Sequence, residues 1–158
     1  MFSIGGYSLG KIINIVVDTS GSMTEDDKNG VVKYLLNGIN NISETTDFKN
    51  IEFILYQWGS ISKKIGNIDK AKLEFAGRGT IEGLDELSKM IDDNQALIFI
   101  SDGNFTLKET EKIKKLSKSI VSIFIGVDAN RLMLQKVSSE KIVYSVTDFV
   151  QAIYDIYK

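Results

Sequence analysis

The 158 residues carry 19 basic and 21 acidic side chains, a formal charge of −2, with 43% hydrophobic and 25% charged residues. That composition suits one self-sufficient core and argues against a disordered chain or broad attraction to a phosphate backbone, so no nucleic-acid partner is expected. Cysteine and histidine are both absent, which excludes disulfides, thiolate zinc sites, imidazole ligands, cysteine nucleophiles and Ser-His-Asp catalysis; any metal site must be built from oxygen.

The chain opens on an apolar stretch with no basic leader and no small-residue cleavage pattern, which predicts a cytoplasmic protein. Residues 1–10 read as a lead-in and residues 11–158 as a single domain. The first strand spans residues 12–17, an IINIVV run whose continuous apolarity predicts cover on both faces. Helical spacing follows at Val31, Leu35 and Ile39, with Thr24 and Asp27 approximating a capping box and Glu25, Asp26 and Asp27 in the first turn, where negative charge suits the dipole. Residues 51–58 form a second strand. After a Gly59-Ser60 turn, the alternating run at residues 61–65 reads as a polar edge strand of a hairpin.

Ile81, Leu84, Leu87 and Ile91 mark a second helix, and residues 96–100 a central strand. Thr106 with Glu109 matches a capping box ahead of the helix carrying Ile113 and Leu116, and the lysines between residues 108 and 118 read as its solvated face. Strands at residues 120–126 and 142–146 flank a short helix at residues 132–137. The last helix bears Phe149, Ile153 and Ile156 and can be capped by Thr147. No apolar run approaches the roughly 20 residues that span a bilayer, so no membrane partner is expected. Regular alternation of strands and helices predicts an α/β fold: a mostly parallel sheet with helices on both faces.

In such folds ligands collect beyond the carboxyl ends of the parallel strands. The first strand runs straight into Asp18-Thr19-Ser20-Gly21-Ser22, one carboxylate and two alternate hydroxyls in a tight turn. The central strand ends in Ser101-Asp102-Gly103, and between them Gly77-Arg78-Gly79-Thr80 brings a threonine hydroxyl to a helix start. Three loops rich in hard oxygen thus converge on one edge, a donor set suited to Mg²⁺, with Mn²⁺ or Ca²⁺ as alternatives. The structural alternatives are weaker: Asp18 as a helix cap, Thr80 as an N-cap and Asp102 as an Asp-Gly turn residue.

This constellation resembles the metal-ion-dependent adhesion site of von Willebrand factor type A (vWA) domains, and the resemblance spans nearly the whole domain. It implies a Rossmann-like three-layer sandwich whose six-stranded sheet runs 3-2-1-4-5-6 with an antiparallel edge strand. It also implies that Ser20, Ser22 and Thr80 coordinate through hydroxyls, that Asp18 and Asp102 bind directly or through water, and that an Asp or Glu of another protein takes the last position. The resulting expectation is a non-enzymatic protein-interaction module. By analogy with small bacterial proteins of this look, its partner would be an AAA ATPase or a component of a stress or defence system.

Met23, Arg78 and Phe105 follow or sit in the motif loops and are candidate partner contacts on the rim, whereas Trp58 favours the core. The alternative function is Mg²⁺-dependent phosphoryl transfer with Asp18 as nucleophile. It lacks the second acid that haloacid-dehalogenase-like phosphatases carry two residues on, where this chain has Ser20.

Overall fold

The computed structural model describes residues 3–4, 7–8, 10–70 and 72–157. Of the lead-in, Ser3–Ile4 and Tyr7–Ser8 pair as a short antiparallel ribbon, and residues 1, 2, 5, 6 and 9 lie outside the described residues. The main sheet has six strands: β1 (Lys11–Asp18), β2 (Ile51–Trp58), β3 (Lys63–Gly66), β4 (Ala96–Ser101), β5 (Ile120–Phe124) and β6 (Val143–Tyr144). Their order is β3-β2-β1-β4-β5-β6, all parallel except β3, which pairs antiparallel with β2. The predicted order and antiparallel edge are both present.

Among the described residues the α-helices are α1 (Lys28–Ser43), α2 (Ile81–Met90), α3 (Leu107–Lys114), α4 (Arg131–Val137) and α5 (Phe149–Tyr157). Successive strand side chains point to opposite faces, and alternate residues of the central strands feed two separate cores. Ile13, Ile15 and Val17 of β1, with Ile98 and Ile100 of β4, pack under Val32, Leu35 and Ile39 of α1 and Ile153 of α5. Val16, Leu97 and Phe99 face the other way, against Leu84 and Leu87 of α2, Ile113 of α3 and Leu134 of α4. Each such side chain contributes about 1.5–3 kcal/mol when fully buried, so the central strands β1 and β4 anchor the fold from both sides. Among the described residues, no helix is long and apolar enough to cross a membrane.

Several boundaries differ from expectation. The edge strand begins at Lys63 rather than at 61, because Ile61 stays exposed and its carbonyl accepts from the Gln57 side-chain amide at 2.8 Å, widening the turn. Strand β5 stops at Phe124, before Gly126 turns the chain at φ +92°. Strand β6 is only two residues long, since Val146 already belongs to a 3₁₀ turn, Val146–Asp148. Thr147 does not cap α5; its hydroxyl meets that of Ser145 at 2.9 Å.

The largest difference precedes α1. Gly21–Asp27 forms a 3₁₀ segment, and Asp26 and Asp27 take left-handed φ values of 51° and 60°. Glu25, Asp26 and Asp27 therefore stand outside the helix, and Thr24 donates its hydroxyl hydrogen to the Gly21 carbonyl at 2.7 Å instead of capping. Local side-chain bonding of this kind competes with helix initiation. Delayed in this way, α1 starts at Lys28, whose side chain turns inward on the same stripe as Val32, Leu35 and Ile39. The Thr106–Glu109 capping box is present in full: Glu109 N donates to the Thr106 hydroxyl, and Thr106 N to the Glu109 carboxylate.

Candidate metal centre

Strand register builds the centre. Val17 of β1 pairs with Ile100 of β4, so Asp18 and Ser101, one residue further along each strand, emerge side by side at the carboxyl edge of the sheet. The Ser101 hydroxyl donates to Asp18 Oδ2 at 2.7 Å and itself accepts from Gly103 N at 3.0 Å. Asp18 Oδ1 accepts from Ser20 N at 2.9 Å, closing an Asx turn that aims the next hydroxyls outward. Ser20 Oγ and Ser22 Oγ then stand 3.2 Å apart.

Asp18 is 1% exposed. Burial raises its carboxyl to about 6, against the bonds from Ser101 and Ser20 that favour the charged form, with the charge of Asp102 adding a further push upward. Asp102, 4% exposed, accepts from Asn104 N through Oδ1 at 3.0 Å and from the Lys28 ammonium through Oδ2 at 3.2 Å. Its loop turns at Gly103, φ +80°, where a Cβ would fall 2.3 Å from the Asn130 carbonyl oxygen, so the strand-end loops of β4 and β5 approach backbone to backbone.

The glycine-rich loop is tied to this edge at several points. Gly21 N donates to the Gly77 carbonyl at 2.8 Å, Ala76 N to the Thr19 carbonyl at 3.0 Å, and the Trp58 indole to the Thr80 carbonyl at 2.9 Å. A Cβ on Gly79 would lie 2.5 Å from the Trp58 ring, so only glycine lets the loop lie flat on that side chain. Ser20, Gly21, Ser22, Gly77, Arg78 and Phe105 line one depression of about 380 Å³. A smaller one of about 200 Å³ is shared by Ser22, Glu25, Lys28, Asp102, Asn104, Asp128 and Asn130.

No model of a known protein family matches the sequence, and no curated protein is similar to it in sequence. Solved structures are similar in fold. An aerotolerance-related membrane protein from Bacteroides fragilis aligns with TM-score 0.69 and 12% identity over 93% of this chain and 98% of its own. Proximal thread matrix protein 1 from the mussel byssus, with a zinc-occupied MIDAS motif, gives 0.64 at 18% identity over 94% of this chain and 45% of its own. The SpRpn10 VWA domain gives 0.55 at 14% identity, covering 90% of this chain and 94% of that domain. This chain has the vWA fold.

On that vWA fold the structure brings Asp18, Ser20, Ser22 and Asp102 to one edge, an all-oxygen donor set. Among the described residues no cluster of three or more acidic side chains offers a cation site, so a metal here relies on the hydroxyls as well as the two carboxylates. Thr80 is exposed, lines neither depression, and its hydroxyl accepts from Gly83 N at 3.0 Å as the N-cap of α2. Arg78 is exposed on the rim as expected. Phe105 divides between the two readings: half-buried, it packs edge-on against Trp58 and Phe99 with ring centroids 6.1 and 5.8 Å away, yet lines the larger depression. Met23 is fully buried, contrary to expectation, because the 3₁₀ turn folds it under the loop into the α1 core. Trp58, 1% exposed, is core.

Sequence reasoning missed Ser101, Lys28 and Asp128. Lys28 did leave a signal: it stands at i with Val32 at i+4, Leu35 at i+7 and Ile39 at i+11, a lysine on the apolar stripe of a helix. Buried lysines require a partner, and the partners Asp102 and Asp128 lie 74 and 100 residues away.

Proposed function

We propose that the chain is a metal-dependent protein-interaction module that holds Mg²⁺ and presents it to an acidic side chain of another protein. The observation that carries this reading is the meeting of Asp18, Ser20, Ser22 and Asp102 at one sheet edge, a set of hard oxygen donors. Ser20 and Ser22 would coordinate through their hydroxyls. Asp18, enclosed and held by Ser20 N and the Ser101 hydroxyl, would act behind them through water, and Asp102 would serve from the neighbouring strand. Thr80 is the fifth proposed ligand: its hydroxyl, one lone pair of which serves the α2 cap, keeps a second. Mg²⁺ so held supplies an incompletely neutralised centre that accepts an external carboxylate.

The zinc-occupied MIDAS motif of the mussel protein supports a divalent ion in this fold, and Mn²⁺ or Ca²⁺ are alternatives to Mg²⁺. We propose an AAA ATPase or a component of a bacterial stress or defence system as the partner, by analogy with small proteins of this look. Arg78 and Phe105 flank the hydroxyls on the open side and would contact that partner. Phosphoryl transfer fits less well, since both oxygens of Asp18 are engaged and the carboxylate is enclosed, leaving no free face for in-line attack.

Capture of partners from a lysate by the immobilised chain, with and without chelator, tests the reading. A partner retained by wild type with Mg²⁺ and lost both with chelator and in Asp18→Ala/Ser20→Ala supports it. Hydrolysis of generic phosphoesters that requires Mg²⁺ and disappears in Asp18→Asn would replace it with catalysis.

A further inference from the structure

The two acids of the metal centre are not equivalent, and the difference lies in Lys28. Its ammonium stands 3.2 Å from Asp102 Oδ2 and 3.0 Å from Asp128 Oδ1. The Lys28 side chain is 2% exposed and Asp102 4%, while Asp128 is 56% exposed. The ammonium therefore bridges an enclosed carboxylate of the site and an open one at its border. Its stem passes directly over Gly126, where a Cβ would lie 2.6 Å from Lys28 Cε and 2.8 Å from Asp128 Oδ1. A side chain at residue 126 would thus close the passage that lets the lysine reach both acids. The preceding left-handed turn at Asp26 and Asp27 starts α1 at Lys28 and directs that side chain inward.

Both observations describe a fixed cation built beside a candidate divalent site. The Lys28 ammonium stands between Asp102 and Asp128, with Asp18 at the same edge and Glu25 lining the same depression, so carboxylates outnumber the cation there. Like charges a few ångströms apart in a poorly solvated setting repel strongly, so the ammonium and a dication cannot both sit on Asp102 Oδ2. Asp128, on the far side of the same ammonium, offers a place to retreat without a break in charge pairing.

We propose that Lys28 is a resident counter-cation of the metal centre: its ammonium holds Asp102 in the metal-free protein and withdraws onto Asp128 when Asp102 turns to a divalent ion. The inference rests on the metal-binding reading above. Its consequence is a trade. Lys28 weakens the hold on the metal, and its ammonium, kept beside the occupied centre by Asp128, adds to the attraction for an external carboxylate. Asp128 tunes the exchange by acting through Lys28, so it is a positioning residue and not a ligand.

Calorimetric titration of Mg²⁺ and Mn²⁺ into wild type, Lys28→Met, Asp128→Asn and the double variant tests this. Removing one unit charge beside the ion should tighten metal binding about tenfold or more in Lys28→Met. Asp128→Asn should weaken binding in the wild-type background and leave it unchanged in the Lys28→Met background, because its effect runs through the lysine. Unchanged or weaker binding in Lys28→Met overturns the proposal, as does an equal effect of Asp128→Asn in both backgrounds. Should Lys28→Met not fold, the ¹³Cε signal of Lys28 in wild type decides: a shift on adding Mg²⁺ that is absent in Asp102→Asn supports the exchange, and an unmoved signal overturns it. If wild type responds to neither metal at millimolar concentration, the metal reading itself fails. Metal binding by wild type with no gain in Lys28→Met removes only the role of Lys28.

Discussion

Asp18 and Asp102 close neighbouring strands at the same edge, both nearly inaccessible to solvent, and the chain neutralises them by different means. Among the described residues, no cation lies within ion-pair distance of Asp18. Asp18 is held by a backbone N–H and a serine hydroxyl, and burial lifts its carboxyl to about 6. Asp102 carries an ammonium on one oxygen and a backbone N–H on the other. For Lys28, burial pulls the ammonium down, and the bonds and charges of Asp128 and Asp102 more than reverse it, leaving it above the ordinary lysine value. Two carboxylates that look alike in sequence are thus one that resists ionisation and one paired with a fixed charge.

Removing the charge on the Asp102 side should have the largest effect. Lys28→Met leaves Asp102 enclosed and unpaired, and breaking one partner of a buried pair costs about 3 kcal/mol; chemical denaturation in chelator should show that loss, and added Mg²⁺ should recover part of it. On the other side the sign reverses. At pH 7 Asp18 is charged although burial raises its carboxyl to about 6, so Asp18→Asn should stabilise the metal-free protein by about 1–2 kcal/mol, once the amide has reorganised Ser101. Denaturation with Mg²⁺ present should invert the ranking, because only wild type gains from the ion.

The same contrast can be read along pH. A folded-state pKa raised above the unfolded value means that Asp18 contributes stability fully present below about 4 and lost as pH rises through about 6. The difference in stability between wild type and Asp18→Asn in chelator should therefore open between those values and be flat above them. Metal affinity should run the opposite way, falling toward tenfold per pH unit below about 6 as the carboxyl takes up its proton; titrations at pH 5 and 7 would show it. Smaller effects belong to positions remote from both acids. Thr80→Ala should cost about 1 kcal/mol through the α2 cap, and a loss of metal affinity beyond that in calorimetry would identify its hydroxyl as a ligand. Lys63→Ala removes an ion pair with Glu74 whose members are both open to solvent, and melting should change by less than about 0.5 kcal/mol.

Much of the framework was readable from the linear chain. The apolar runs located five strands and the helix stripes, and Thr106 with Glu109 announced its capping box, because these signals are local and repeat within a few residues. Asp18, Ser20, Ser22 and Asp102 were also legible, since each follows an apolar strand in a fold that collects ligands at strand ends. Met23 was misread because it directly follows the motif loop and was therefore placed on the rim. Two consecutive left-handed aspartates, which no periodicity announces, instead made a 3₁₀ segment that swings Met23 into the core. Ser101 was passed over for want of register: its bond to Asp18 exists because Val17 lies opposite Ile100.

The sequence by itself determined an α/β alternation and, by lacking histidine and cysteine, that any metal site would be made of hard oxygen. Composition and short-range spacing suffice for that, because hydrophobic period and ligand chemistry are properties of neighbouring residues. Tertiary structure decided which acid stays bare and which acquires a cation. The Lys28–Asp102 contact joins residues 74 apart, and the parallel pairing of β1 with β4, the turn before α1 and the passage over Gly126 together bring them within reach. Charge pairing inside a core depends on distances of a few ångströms, and only the packed chain sets those.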